Sequence, residues 1–418
     1  MMPEKVVLAY SGGLDTSVAI KWIKENYGYD VVALTIDLGS ERDLPAIRER
    51  ALQVGAVDAI VMDGRDLFLK YFAFPALQAG AIYEREYPLA TAIGRPLIAK
   101  LLVDVAHEVG AKAVAHGCTG KGNDQVRLDV SVTALDPSLQ IIAPVREWKL
   151  SRPAEIEYAR LNNIPIPASV NSPYSTDVNL WGRSIEAGIL EDPWVEPPAE
   201  VWLWTKNPED APNKPEYIEI DFENGIPTAL NGETMDGVTL VQKLNDIAGE
   251  HGIGRIDHVE NRLVGIKSRE IYESPAAVVL HQAHSALEDM TLSRDQARFK
   301  TTISNQISEM IYNGLWFSAL HQDLRAFVES SQRNVIGTVR LKFFKGTSMV
   351  VGRKSPKSLY RYELATYDEG DTFDSDAALG FIKLWGLPLQ TQTKYQLSGG
   401  ATDLPVLTGN SETTTESE

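Results

Sequence analysis

The chain has 418 residues, 44% hydrophobic and 23% charged, enough for a sizeable core and about two to three domains. Its 40 Lys+Arg against 57 Asp+Glu give a formal net charge of -17, which argues against a nucleic-acid partner but not against a local basic pocket for small anions. The single cysteine, Cys118, excludes an intrachain disulfide and any multi-cysteine zinc or iron–sulfur site. Residues 1–9 show no signal-peptide pattern, and no apolar run approaches the ~20 residues that span a bilayer. A cytoplasmic protein with no membrane partner is expected.

In chain order, strand signals fall at residues 5–10, 30–38, 57–62, 112–116 and 139–143. Amphipathic runs lie between them, with Leu14, Val18 and Trp22, and then Leu97, Leu101 and Val105, at helical spacing. This alternation predicts an α/β fold with a mostly parallel sheet over residues 1–168, the strands buried on both faces. Residues 165–215 are rich in proline and predict an extended, loop-rich crossover. A second, α+β domain is expected over 169–365. It should hold a strand at 217–222, helices at 236–250, 275–290 and 294–330, and a hairpin at 335–351 turning at Lys345-Gly346. His281 and His284, three apart on a helix without a zinc-protease pattern, read as a solvated or packed face, and no metal site is expected. Residues 398–418 contain no Lys or Arg, four acids and many Ser, Thr and Gly, which predicts a disordered acidic tail.

Chemistry concentrates in two loops. Ala9-Tyr10-Ser11-Gly12-Gly13-Leu14-Asp15-Thr16-Ser17 runs from the first strand into the first helix. Two glycines admit close backbone approach to a phosphate, the helix start presents free N–H groups, and Ser11, Thr16 and Ser17 add hydroxyls. Asp15 is a candidate to position Mg²⁺ or to cap the first turn. No lysine follows, so this is not the common nucleotidase loop. The plain alternative, a serine-capped tight turn, explains less of the Leu-Asp-Thr-Ser continuation.

The second loop is His116-Gly117-Cys118-Thr119-Gly120-Lys121-Gly122-Asn123-Asp124-Gln125-Val126-Arg127. Thr119 and Asn123 suit a carboxylate, Asp124 an ammonium, and Arg127 forks onto a carboxylate. Together they suit one or two zwitterionic amino acids. The alternative is a glycine-rich loop with a helix cap at Asn123 or Asp124. Cys118, just past an apolar strand, reads as a small buried hydrophobe rather than a nucleophile.

The first loop resembles the pyrophosphate loop of the N-type ATP pyrophosphatases. The second resembles the signature of the argininosuccinate synthase family within them, with Cys118 in place of the usual alanine. Further matches are Tyr87, Thr91, Arg95-Pro96, Pro173-Tyr174-Ser175, Ser184-Ile185-Glu186-Ala187-Gly188, Gly254-Arg255-Ile256-Asp257, Val259-Glu260-Asn261-Arg262 and the run Lys267 to Glu273. The resemblance extends over roughly residues 5–390. It implies an adenine nucleotide alpha-hydrolase-like domain, a synthetase domain, and ATP- and Mg²⁺-dependent, AMP-forming ligation of citrulline to aspartate in arginine biosynthesis. It also implies a homotetramer joined through an oligomerisation segment at 366–397. By the same resemblance, residues 9–17 and Gly117 bind ATP. Thr119, Asn123 and Asp124 bind aspartate; Tyr87, Asn123, Arg127, Ser175, Ser184, Glu260 and Tyr272 bind citrulline. Asp124 and Asp15 are the catalytic candidates, Asp124 for orienting the aspartate amine. Read as residues alone, Glu260 is a surface carboxylate, Tyr272 a core aromatic, and Ser175 and Ser184 loop serines. Three departures stand out: Ala92 for a common serine, Trp181-Gly182-Arg183 before Ser184, and Glu270 for a common glycine. A different AMP-forming ligase and a nucleotide sensor without turnover are the competing functions.

Overall fold

The computed structural model describes residues 3–40, 42–148, 150–166 and 172–396. Two compact units are present, Met1–Leu359 and Tyr360–Glu418. The expected boundary at 168 and the expected tail at 398–418 lie outside the described residues.

The apolar runs that open the chain form a parallel five-stranded sheet. Its strands are β1 (Lys5–Ala9), β2 (Asp30–Asp37), β3 (Asp58–Asp63), β4 (Ala113–Ala115) and β5 (Gln140–Ile142), in the order β3-β2-β1-β4-β5. β1 alternates between two cores. Val6 and Leu8 pack with Ile20, Ile23 and Ala51, while Val7 packs with Leu34, Leu97 and Leu101 on the other face. Both faces are covered, as its uninterrupted apolar sequence requires. Strand order reverses between β1 and β4, and in such sheets the crevice beyond the carboxyl ends at the reversal receives ligands. Both glycine loops leave from that crevice.

The proline-rich crossover holds more structure than expected. β6 (Ser175–Asn179) and β7 (Gly182–Glu186) form a hairpin that joins β11 (Arg255–Asn261) and β12 (Lys267–Glu273) in the antiparallel order β11-β12-β7-β6. Their sequences are polar and give no apolar alternation to read. Tyr272 lies opposite Ser184, Ser184 opposite Asp177, Ser175 opposite Glu186, and Glu260 opposite Ser268. Opposed residues share a face, as do alternate residues along a strand. One face therefore carries Ser175, Asp177, Ser184, Glu186, Glu260, Ser268, Glu270 and Tyr272.

Glu273, at the end of β12, fastens the crossover. It is fully buried and accepts from the backbone N–H groups of Leu203, Trp204 and Thr205 at 2.9–3.0 Å, from the Thr205 hydroxyl at 2.8 Å and from Arg183 at 2.7 Å. Arg183, one of the departures, thus has a fixed partner.

A second antiparallel sheet is built from β8 (Glu216–Glu223), β9 (Ile226–Leu230), β10 (Glu233–Thr234), β13 (Gly337–Phe344) and β14 (Thr347–Lys354), in the order β10-β9-β8-β13-β14. It packs on the helix Pro275–Thr291, where His281 and His284 are buried rather than solvated. The single helix expected over 294–330 is two, Arg294–Tyr312 and Ala319–Gln332. Gly314 turns the chain with φ 78°, and Ser318 caps the second helix at His321 N–H.

In the second unit the helix Ser375–Tyr395 starts at an Asp374 cap on Ala377 N–H. None of its residues is buried, although Leu379, Phe381, Ile382, Leu384 and Trp385 are large and apolar. No helix among the described residues is long and apolar enough to cross a membrane.

Candidate active site

At the carboxyl end of β1, Gly12 takes φ +77°, a left-handed conformation costly for residues with a Cβ, and an added Cβ would stand 2.9 Å from Ile47. The helix Leu14–Tyr27 starts at Gly13 with no side-chain cap, so Asp15 and the loop serines do not cap it. Ser11 Oγ lies 3.1 Å from Thr16 Oγ1, and the buried Ser17 hydroxyl 2.9 Å from Tyr10 OH. Asp15 pairs instead with Arg152 at 2.5 Å, which also holds Glu155 at 2.8 Å. Burial, then the hydrogen bond and charge of Asp15, pushes the Glu155 carboxyl up to about 8.

The second loop meets the first at Gly117, where a Cβ would lie 2.8 Å from Thr16 Cγ2. Between the loops is a cavity of about 260 Å³, lined by Ala9, Tyr10, Ser11, Gly13, Asp15, Thr16, Gly117 and Cys118, with Arg42, Arg95 and His116 beside them. Leu14 packs away from it with Val18 and Ala159. Cys118 is partly buried; burial and then the Asp124 charge push its thiol up to about 12, which keeps it protonated and unreactive.

A second cavity, about 370 Å³, opens from the first and shares Ser11, Asp15, Arg95, Gly117, Cys118 and Asp177 with it. Its lining includes every residue expected for the two amino acids: Tyr87, Thr119, Asn123, Asp124, Arg127, Ser175, Ser184, Glu260 and Tyr272. Grooves of about 930 and 990 Å³ elsewhere are larger. Neither brings residues of the two glycine loops together.

The second cavity is polarised. Arg127 is buried; its Nε donates to Tyr312 O at 2.8 Å, Nη1 donates to Asp124 at 2.9 Å, and Nη2 has no partner among the described residues. Arg95 reaches the other Asp124 oxygen at 2.6 Å and also pairs with Asp177. Burial raises the Asp124 carboxyl, but Arg95 and Arg127 outweigh it and hold the group well below the usual carboxylate range. Asp124 is a permanent anion and a poor base. Asn123 does not cap its helix; its amide donates to Tyr312 OH at 2.8 Å and its carbonyl accepts from Leu263 N–H at 2.9 Å. Beyond Tyr312, Tyr272 donates to Glu260 at 2.6 Å, Tyr312 donates to the second Glu260 oxygen, and Tyr87 stacks on Tyr272 at 4.2 Å between ring centres. Burial first, with neighbouring carboxylate charge, raises both Tyr272 and Tyr312, which stay protonated donors.

These contacts carry residues that local motifs do not assign. Asp177 and Glu186 each sit two residues from an expected serine on the same strand face, which is the signal that would have found them. Arg262, Glu270, Arg152 and Tyr312 come from distant segments.

Sequence profiles of two domains match the chain, the arginosuccinate synthase N-terminal HUP domain over residues 5–165 and the arginosuccinate synthase C-terminal domain over 174–392. The chain belongs to the argininosuccinate synthase family. Its relatives include argininosuccinate synthases of Dehalococcoides mccartyi (strain 195), 61% identical over 94% of this chain and 97% of that one, and of Symbiobacterium thermophilum, 59% identical over 95% and 100%. The Streptococcus suis (strain 05ZYH33) protein is 55% identical over 94% and 99%. As a member of this family the chain is a ligase that uses ATP and small-molecule substrates in arginine biosynthesis. Its architecture fits: a parallel-sheet HUP domain followed by antiparallel sheets.

Proposed function

We propose that the chain joins L-citrulline to L-aspartate with ATP, through a citrullyl-adenylate, to give argininosuccinate, AMP and pyrophosphate. The observation that carries this reading is the pair of joined cavities, one walled by a lysine-free phosphate loop and the other polar enough for two amino acids. The nucleotide lies in the first with its β- and γ-phosphates on residues 9–17 and Gly117. Citrulline's carboxylate takes the unpartnered Arg127 Nη2, its ammonium turns to Glu260, and Ser175, Ser184, Tyr87 and Tyr272 surround the rest. Aspartate sits at Thr119, Asn123 and Asp124, where the fixed anion orients its amine.

The ureido carbon is a weak electrophile because its nitrogens donate into it. Its oxygen attacks the α-phosphorus and displaces pyrophosphate; the aspartate amine then attacks the activated carbon and AMP departs. The chain contributes position and fixed charge. Mg²⁺ typically takes one or two carboxylates plus phosphate oxygens, and Asp15, facing the nucleotide cavity, fits that role. When bound, the ion supplies charge neutralisation of the leaving pyrophosphate. Arg152 balances Asp15 from the side.

The reading further divides the chain into a nucleotide domain at 1–168, a synthetase domain at 169–365 and a subunit-joining segment at 366–397. Support for the last is the exposed apolar helix Ser375–Tyr395, since monomers rarely leave such a surface open. A cytoplasmic homotetramer is part of the same proposal.

Pyrophosphate release that requires both citrulline and aspartate is the expected result; ADP as product would refute it, and ATP binding without turnover under any amino-acid pair would favour a sensor. Gly12→Ala tests the phosphate loop. Its left-handed backbone and its clash with Ile47 predict a loss of about 1–2 kcal/mol, hence roughly tenfold weaker ATP binding by calorimetry with the fold intact. Unchanged affinity would place the nucleotide elsewhere.

A further inference from the structure

The sheet face that lines the second cavity holds more carboxylate than Glu260 alone. Glu186 on β7 and Glu270 on β12 both line it, and one guanidinium, Arg262 from the turn after β11, bonds to both. Glu260 spends its two oxygens on the hydroxyls of Tyr272 and Tyr312. Two carboxylates therefore share one arginine, with Glu260 on the same sheet face. Ser268, two residues before Glu270 on the same face, donates to Glu270 Oε1 at 3.0 Å. Opposite Glu270 in the β11–β12 ladder stands His258, 3.3 Å from Glu84. Arg262 is the cation bonded to Glu270, and it is shared.

We propose that Glu186 and Glu270, bridged by Arg262, form an additional subsite for the ammonium group of the acceptor amino acid, and that Glu270 gives up a proton when that ammonium arrives. The inference rests on the acceptor reading above and deepens it. Geometry alone gives the attraction: Glu260 lies opposite Ser268, so Glu270 is its diagonal neighbour on one sheet face, close enough for one ammonium to feel both. Arg262 neutralises one of the two carboxylates it holds, and the remaining charge is disfavoured in a buried site until a cation joins it. Glu270 is the group that adjusts. It is buried, and burial first, then the Glu186 charge, pushes its carboxyl up to about 8 against the pull of Arg262. On its own, Glu270 is mostly protonated at neutral pH. The balance is simple: the ammonium brings one positive charge, the Glu270 O–H dissociates, and its proton passes to the buffer.

The sign follows. A protonated Glu270 competes with the ammonium, so acceptor binding strengthens as pH rises toward 8 and levels off above it. Below 8, KM for citrulline should rise about tenfold for each pH unit lost, with kcat changing far less.

The test is calorimetric titration of the full chain with citrulline near neutral pH, in buffers of different ionisation heat, alongside Glu270→Gln. The wild type should release more than about half a proton per citrulline bound, as expected of a group titrating near 8. Glu270→Gln should release none and show a flat pH profile of KM, with KM raised and kcat largely kept. A purely structural Glu270 would alter stability without setting a proton count. Citrulline binding to wild type without proton release overturns the subsite, as does release that persists in Glu270→Gln. No citrulline binding at all would overturn the acceptor reading itself, and the subsite with it.

Discussion

Glu273→Ala will cost about 3–5 kcal/mol of unfolding free energy, the scale for removing one partner of a buried ion pair. The carboxylate is fully buried, so its loss leaves Arg183, among the described residues, with the Val201 carbonyl, and strands the N–H groups of Leu203, Trp204 and Thr205. Each stranded donor adds a desolvation penalty. Because β12 continues from Glu273 back to Tyr272 and Glu270, the damage should also reach the cavity. Glu273→Gln keeps the volume and several acceptor contacts and should lose about half as much. Urea denaturation monitored by tryptophan fluorescence measures both. A loss below about 1 kcal/mol for the alanine variant would mean that the crossover is held elsewhere.

The second large effect falls on activity. Asp124→Asn removes the anion shared by Arg95 and Arg127 and the proposed ligand of the aspartate ammonium. Disrupting one member of a buried, hydrogen-bonded charge set costs at least about 2 kcal/mol, so kcat/KM for aspartate should fall about thirtyfold or more. ATP binding should be nearly unchanged, since Asp124 lines the second cavity and not the first. Equal losses for ATP and aspartate would point to general collapse of the site. The low proton affinity of Asp124 adds a sign: with its carboxyl held below the usual range, activity should not fall through its protonation on mild acidification. Any acid limb near neutral pH belongs to a group pushed upward, such as Glu270 or Glu155.

How much of this was legible depends on how local the signal is. The phosphate loop is continuous in sequence, directly between an apolar strand and a helix, so Ser11 and Gly12 announce it without tertiary information. The second loop is equally compact. The five-stranded sheet was readable because its strands are buried on both faces and therefore apolar throughout. β6 and β7 were not, since Ser175, Asp177, Ser184 and Glu186 line a polar cavity and erase the alternation that marks a strand. Their shared face emerges only from register, which no single segment encodes. Arg262 stood only as part of a family match and Glu270 only as a departure from a common glycine, neither with a role, and Tyr312 fell inside the single helix expected over 294–330. Burial and long-range contact turn all three into cavity wall. The break at Gly314 was hidden by the apolar periodicity that continues past it.

The most direct test of the central claim is to supply citrulline carrying heavy oxygen in its ureido group, together with ATP and aspartate, and to weigh the products. Attack by that oxygen on the α-phosphorus predicts AMP carrying the label and argininosuccinate without it. Label absent from AMP, or found in phosphate released with ADP, would contradict adenylate chemistry in these cavities.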